Sequence, residues 1–113
     1  MTPSKPNRRR LRQRTQGLRR EIAAMDFVSS GTLLTRTKVC GQPSCRCATD
    51  PEARHGPYCE FNRREGGRLI HRVVPRSLVP QVQRALENHR RIRALLAQWE
   101  QETVRELFEA EPD

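Results

Sequence analysis

Four cysteines and one histidine share a short stretch of the chain with the spacing C-x4-C-x-C-x7-H-x3-C, and they are Cys40, Cys45, Cys47, His55 and Cys59. Thiolates and imidazoles are the ligands that Zn²⁺ takes in tetrahedral structural sites, and zinc binding can supply the folding energy of a small site. The loop that carries them contains two prolines and no hydrophobic period, so it needs a cross-link to be ordered. The sequence therefore predicts a zinc site here.

The spacing leaves the fourth ligand open. Cys40, Cys45 and Cys47 lie close together, whereas the last position falls to His55, before a Gly-Pro turn, or to Cys59, within a predicted strand. The number of thiols favours Cys59, but a strand cysteine often serves as a small buried hydrophobe, and a loop histidine can simply hydrogen-bond within its loop. A thiol redox sensor is the rival function for this loop, because neighbouring arginines can activate a thiol.

Strands are predicted on both sides of the cysteine loop. Thr32–Val39 is rich in β-branched residues and alternates, while Tyr58–Arg64 and Arg68–Val74 flank a Glu-Gly-Gly turn and form an antiparallel hairpin. The first strand is expected to join this hairpin. The predicted fold class is α+β, with a small three-stranded antiparallel sheet, a Cys-rich zinc loop, a long C-terminal helix and a basic N-terminal arm and helix.

Helices are predicted in the N-terminal and C-terminal parts of the chain. Residues 1–10 have no hydrophobic period and are predicted to be disordered, and a marginal helix follows from Leu11. A long helix is expected from Ser77, its N-cap, to about Ala110, roughly 50 Å by the helical rise. Its apolar stripe favours either coiled-coil pairing in a homodimer or packing on the chain's own sheet and first helix. The predicted segments are a basic arm (1–28), a zinc-loop sheet (29–76) and a long helix with an acidic tail (77–113).

The charge is strongly clustered along the 113 residues. The net charge is +9, and the first 20 residues carry eight basic side chains and no acid, whereas Glu100–Asp113 carries six acids and one arginine. Arginine clusters favour phosphate contacts and salt-sensitive nucleic-acid binding. The candidate nucleic-acid residues lie on the arm and around the hairpin turn: Arg8, Arg9, Arg10, Arg12, Arg14, Arg19, Arg20, Arg63, Arg64, Arg68 and Arg72.

Several function classes are not favoured by the sequence. No stretch approaches the roughly 20 consecutive apolar residues of a membrane span, and the basic N-terminus lacks the apolar segment of a secretory signal, so a cytoplasmic protein is expected. The histidines are scattered, and no nucleophile elbow or phosphate-binding loop motif occurs. We therefore expect a protein that is not an enzyme.

The segment from residue 31 to residue 97 resembles a family of small uncharacterised bacterial proteins, described as a domain of unknown function and often encoded near transposases. The resemblance rests on GTL, CGxPxCxC, HGPY, a strand pair with a Gly turn, VP and a long helix. It implies that Cys40, Cys45, Cys47 and His55 occupy the recurring positions, while Cys59 stands where the family usually has an aromatic. It implies no activity.

The leading functional hypothesis is a small zinc-stabilised nucleic-acid-binding protein, accessory to a mobile-element or other nucleic-acid enzyme. Duplex or structured nucleic acid is the favoured target, because few aromatics are available to stack single-stranded bases, and DNA is expected rather than RNA. The alternative is a protein-interaction module whose long helix forms a homodimer or docks a recombinase or transposase. A further hypothesis is that the acidic tail, Glu100–Asp113, competes with nucleic acid for the arginine arm.

Overall fold

The predicted order of helices and strands is present in the structure, a computed structural model that describes residues 5–111. The main elements are α1 (Arg8–Ala23), β1 (Thr32–Lys38), β2 (His55–Glu65), β3 (Arg68–Val74) and α2 (Val79–Val104), which continues into a π-helical turn at Arg105–Glu109. Short 3-10 turns lie at Arg46–Ala48, Pro51–Ala53 and Arg76–Leu78. The α+β fold class is confirmed.

Helix α1 begins three residues before the predicted start at Leu11. Asn7 is its N-cap, and the side-chain oxygen of Asn7 accepts hydrogen bonds from the backbone N–H groups of Arg9 and Arg10 at 2.8 and 3.4 Å. These two donors would otherwise lack partners in the first helical turn. Arg8–Arg10 are therefore helical rather than disordered as expected, whereas the part of that prediction for residues 1–4 lies outside the described residues.

The three strands form an antiparallel sheet in the order β1-β2-β3, with β2 in the centre. Thr35 pairs with Cys59 and Cys59 with Val74, whereas Leu34 pairs with Glu60 and Glu60 with Val73. Because cross-strand partners point to the same side of a sheet, these two rows belong to opposite faces. The third strand has the predicted bounds, and β2 starts three residues earlier than expected, at His55.

Helix α2 starts after Pro75 ends the third strand. Ser77, the expected N-cap, instead lies within the 3-10 turn Arg76–Leu78, and the α-helix begins at Val79 with Pro80 in its first turn. A proline is tolerated there because the first N–H groups of a helix have no partner within the helix.

The chain divides into two units. One contains the described residues up to Val28 together with those from Glu87 onward, and its core includes Leu11 and Leu95, which are 1% and 0% exposed. In this unit the later part of α2 lies beside α1, so a partner for the long helix is found within the chain. The other unit, Ser29–Leu86, contains the sheet. No helix within residues 5–111 has the length and apolar character needed to cross a bilayer.

Candidate metal centre

Three thiols and one imidazole converge at the end of the sheet where β1 finishes and β2 begins. The ligand atoms of Cys40, Cys45, Cys47 and His55 all lie within 4.8 Å of one another. The Cys40 and Cys47 Sγ atoms are 3.5 Å apart, and Cys45 Sγ is 3.4 Å from His55 Nε2. Atoms bound about 2.0–2.3 Å from a tetrahedral ion lie about 3.3–3.8 Å from each other, so these spacings suit one metal ion.

The strand pairing explains why residues distant in sequence meet here. Lys38, the last residue of β1, pairs with His55, the first residue of β2. Cys40 follows two residues after β1, so it is carried to the same end of the sheet as His55. Gly56 lies beside this pairing with a φ of 115°, and a Cβ there would lie 2.9 Å from the Arg36 carbonyl oxygen. A side chain at position 56 would therefore disturb the approach of the two strands.

Two short turns bring the remaining cysteines to the cluster. Cys45 precedes the 3-10 turn Arg46–Ala48, and Cys47 lies within it, 2% exposed. The next 3-10 turn is capped by Asp50, whose carboxylate accepts from the Glu52 backbone N–H at 2.9 Å. An ion pair of 3.2 Å between Arg46 and Asp50 connects the two turns. Local hydrogen bonds and one ion pair thus shape the loop and bring its thiols close together.

The thiols perturb one another electrostatically. The pKa of Cys45 is lowered by the backbone N–H of Cys47 and by hydrogen bonds with the Cys47 and Cys40 thiols. The Cys40 backbone N–H, 3.4 Å from the Cys47 sulfur, lowers the pKa of Cys47, but burial and the two other thiols outweigh it and raise that pKa overall. Three thiolates in such proximity repel one another, and a divalent cation would relieve that repulsion.

Cys59 does not belong to this cluster. It lies within β2, is partly buried and is opposite Thr35 and Val74, and all four cysteines are free thiols. The fourth position beside the three loop cysteines is therefore taken by His55. Sequence spacing could not decide between the two residues, because the decision depends on where β2 begins.

A family model described as a domain of unknown function, DUF6788, matches residues 8–84 of the chain. The chain belongs to this family. The match takes in α1, the whole sheet and all four members of the cysteine–histidine cluster, whereas the resemblance found in the sequence began only at residue 31 and extended to residue 97. No curated protein and no solved structure matches the chain.

The arginines of α1 in this DUF6788 chain fall into two groups. Some contact the end of α2: Arg12 pairs with Glu106 at 2.9 Å, Arg14 pairs with Glu102 at 3.7 Å, Arg8 donates to the Glu106 carbonyl and Arg19 lies over the Trp99 ring. The others are exposed and form no ion pair with the described part of the chain, and they are Arg9, Arg10 and Arg20. Four of the seven predicted arginines of α1 thus already contact other groups of the chain.

The arginines around the hairpin turn of the DUF6788 domain are divided by the strand register. Arg64 pairs with Leu69, Arg63 with Ile70 and Phe61 with Arg72. Because neighbours along a strand point to opposite faces, Arg64 lies on one face while Arg63 and Arg72 lie on the other. Arg68, which pairs with Glu65, shares the face of Arg63.

Three cationic or aromatic side chains of this DUF6788 sheet were not among the predicted site residues. Arg36 and Lys38 of β1 both face the buried carboxylate of Glu60, at 3.5 and 4.0 Å, and Lys38 lies over the Tyr58 ring. A groove of about 400 Å³ beside the cluster is lined by Lys38, Val39, Cys40, His55, Tyr58 and Val73. The alternation of β1 was the available signal, since it sets Arg36 and Lys38 on the same side as Leu34.

Proposed function

We propose that this DUF6788 chain is a small zinc-stabilised protein that binds nucleic acid, with duplex DNA as its favoured target. In this proposal it works in the bacterial cytoplasm without catalysing a reaction and is accessory to a mobile-element or other nucleic-acid enzyme, such as a transposase or recombinase. The observation that carries the binding proposal is the set of exposed arginines Arg9, Arg10 and Arg20 on one short helix, in a chain of net charge +9.

The donor set supports zinc as the metal. Three sulfurs and one imidazole nitrogen are soft and borderline ligands, which suit Zn²⁺ better than the oxygen-seeking ions Mg²⁺ and Ca²⁺. Four protein ligands also complete a tetrahedron, the arrangement of structural rather than catalytic zinc. The ion would therefore hold the loop between β1 and β2 in place and leave binding to other surfaces.

The arginines on α1 support the binding of phosphate. Each phosphate neutralised by an arginine releases condensed counterions, and the affinity then falls with salt by about 0.9 logarithmic units per phosphate for duplex DNA. Such binding depends little on base sequence. Helix α1 would thus provide the general affinity of the protein for nucleic acid.

A titration of labelled duplex DNA with the zinc-loaded protein tests the proposal. We expect binding at about 50 mM salt that weakens steeply towards about 200 mM. Replacement of Arg9, Arg10 and Arg20 by alanine should reduce the salt slope by about 2.7 units, whereas Arg93→Ala, at another exposed arginine, should have a smaller effect. Absence of binding at low salt would refute the nucleic-acid function.

A second candidate function is supported by the exposed apolar surface of α2. A groove of about 530 Å³ is lined by Leu96, Trp99, Glu100, Thr103 and Val104, and the nearby side chains of Leu107 and Phe108 are 65% and 80% exposed. Clustered exposed hydrophobic side chains are characteristic of protein interaction sites. This surface favours a helix-mediated homodimer or an adaptor for a partner enzyme, and sedimentation of the purified chain would detect the dimer.

A further inference from the structure

The three-stranded sheet has two unequal faces. On one face Leu33, Phe61 and Ile70 are partly buried and Val74 is 8% exposed. The opposite face, here named the open face, carries large side chains that remain accessible: Leu34, Tyr58, Leu69 and Val73 are 37–56% exposed. A sheet face with this much accessible apolar area is suited to contact with another molecule.

The open face is also positively charged. Arg36, Lys38 and Arg64 lie on it, and its acid, Glu60, is 4% exposed and surrounded by cationic and imidazole groups. Arg36 and Lys38 approach the Glu60 carboxylate from β1, and His71 Nδ1 from β3 lies 3.1 Å from it. The carboxylate is thus screened by its neighbours, whereas the guanidinium of Arg64 is exposed and forms no ion pair within residues 5–111.

Two adjacent strands of the open face suit a groove of duplex DNA. Neighbouring strands of a sheet lie about 4.8 Å apart. The major groove of B-form DNA is about 12 Å wide and admits a two-stranded β-ribbon. Arginine is suited to the O6 and N7 acceptors of guanine there, and aliphatic side chains are suited to the thymine methyl group.

We propose that the open face enters the major groove of duplex DNA and reads base edges, with Arg64 as the principal base-reading residue. This inference rests on the proposed nucleic-acid function and adds sequence specificity to it. Leu34, Leu69 and Val73 would supply the apolar contacts, and Lys38 would face the phosphates at the groove edge. Tyr58 is the one aromatic of the open face among the described residues, which disfavours a stacking platform for single strands.

One chain would then combine two kinds of DNA contact, to phosphates and to base edges. The arginines of α1 neutralise phosphates and carry no sequence information, whereas contacts to base edges discriminate between sequences. A bidentate contact between arginine and guanine is worth a discrimination of roughly tenfold or more. Loss of such a contact should therefore lower the preference for the cognate sequence more than it lowers affinity for arbitrary DNA.

Adjacent arginines of β2, one on each face of the sheet, are compared in the test. The full-length, zinc-loaded protein is used to select binders from randomised pools of duplex DNA, single-stranded DNA and RNA, and its affinities for the selected and a scrambled duplex are then measured. Arg64→Ala should lower the ratio of these two affinities roughly tenfold. Arg63→Ala removes an arginine of the other face that pairs with Glu65 at 3.3 Å, and we expect that ratio to stay within about twofold. Zinc content and circular dichroism verify that both variants fold.

The outcomes distinguish this inference from the function on which it rests. Salt-sensitive binding without enrichment of any duplex sequence overturns the base-reading role and leaves the proposed function intact. Equal loss of specificity in the Arg63 and Arg64 variants also overturns it, as does enrichment confined to the single-stranded or RNA pool. Absence of binding to every pool refutes the proposed function and this inference together.

Discussion

Arg12 and Glu106 are 94 positions apart in the chain, yet Arg12 Nε donates a hydrogen bond to Glu106 Oε1 at 2.9 Å. Close by, Arg14 Nη1 lies 3.7 Å from Glu102 Oε1. The Glu111 backbone N–H also donates to the Pro6 carbonyl at 3.1 Å. Acidic residues at the end of α2 and in the turn that follows it therefore pair with two of the arginines that were predicted to contact phosphate.

Removal of these two carboxylates should strengthen nucleic-acid binding. A Glu102→Gln/Glu106→Gln variant loses the two carboxylates that face Arg12 and Arg14, so we expect the salt slope to become steeper, by at most about 1.8 units. Filter binding over a salt series measures it. Glu109→Gln is the control, because Glu109 is exposed and makes no ion pair with the described residues. An equal gain in the control would mean that net charge alone, rather than competition for these arginines, sets the affinity.

The metal prediction distinguishes the two candidates for the fourth ligand. We expect one zinc ion per chain in the wild type and in Cys59→Ser, and loss of zinc in Cys40→Ser and His55→Ala, because only the latter two remove a member of the cluster. Native mass spectrometry counts the bound ions. Retention of zinc by His55→Ala together with its loss from Cys59→Ser would reverse the assignment.

The packing of α2 predicts that substitution of two adjacent leucines changes the free energy of unfolding by very different amounts. Leu95 is 0% exposed and Leu96 is 46% exposed. Leu95→Ala should lower the free energy of unfolding by about 2–5 kcal/mol, because it leaves a cavity in a core that also contains Leu11. Leu96→Ala should change it by less than about 1 kcal/mol. Denaturant unfolding of the two variants gives the comparison, and similar losses would contradict the burial of Leu95.

The ion pair between Glu21 and Arg91 predicts a dependence of stability on pH. Hydrogen bonding to Arg91, with 2.9 Å between Arg91 Nη2 and Glu21 Oε1, holds the pKa of Glu21 below the ordinary value of a glutamate. A lowered folded-state pKa contributes stability that is fully present above the unfolded pKa and disappears as the pH falls through the folded value. Glu21→Gln should thus be less stable than the wild type near pH 7, and the difference should begin to shrink once the pH falls below the unfolded pKa of a glutamate, about 4.3.

Thermal denaturation of the wild type and Glu21→Gln at a series of pH values measures this difference directly. The pair is exposed, so the effect should be small and should shrink further at high salt. Glu87→Gln, at another exposed acid of the same unit, is the matched control. A difference between wild type and Glu21→Gln that does not shrink as the pH falls from 7 to 2 would contradict the ion-pair explanation.

Local patterns were sufficient to predict most of the fold. The Glu-Gly-Gly turn and the alternation of Arg68–Val74 specify the hairpin, because turn chemistry and strand period act over a few residues. The start of α1 was missed because the residues that follow the Asn7 cap show no hydrophobic period. Ser77 was wrongly taken as an N-cap, because a 3-10 turn lies between Pro75 and Pro80 and includes it.

Part of the site was also predictable from local sequence patterns. The spacing of the three loop cysteines and His55 indicated a metal, but the exclusion of Cys59 depends on long-range pairing between β1 and β2. The division of Arg63 and Arg64 between faces follows from alternation along a strand. Which of these faces is left open depends on tertiary packing, and a local pattern does not contain that information.

The position of His55 opposite Lys38 has a consequence for the alignment of the whole sheet. A slip of one residue between β1 and β2 would exchange the two faces of β1 relative to the hairpin and turn Arg36 and Lys38 away from Glu60. An ion held jointly by Cys40, just after β1, and His55, at the start of β2, would permit only the observed alignment. The metal would then fix the register of β1 against β2, and its loss would remove that constraint on the pairing of the two strands.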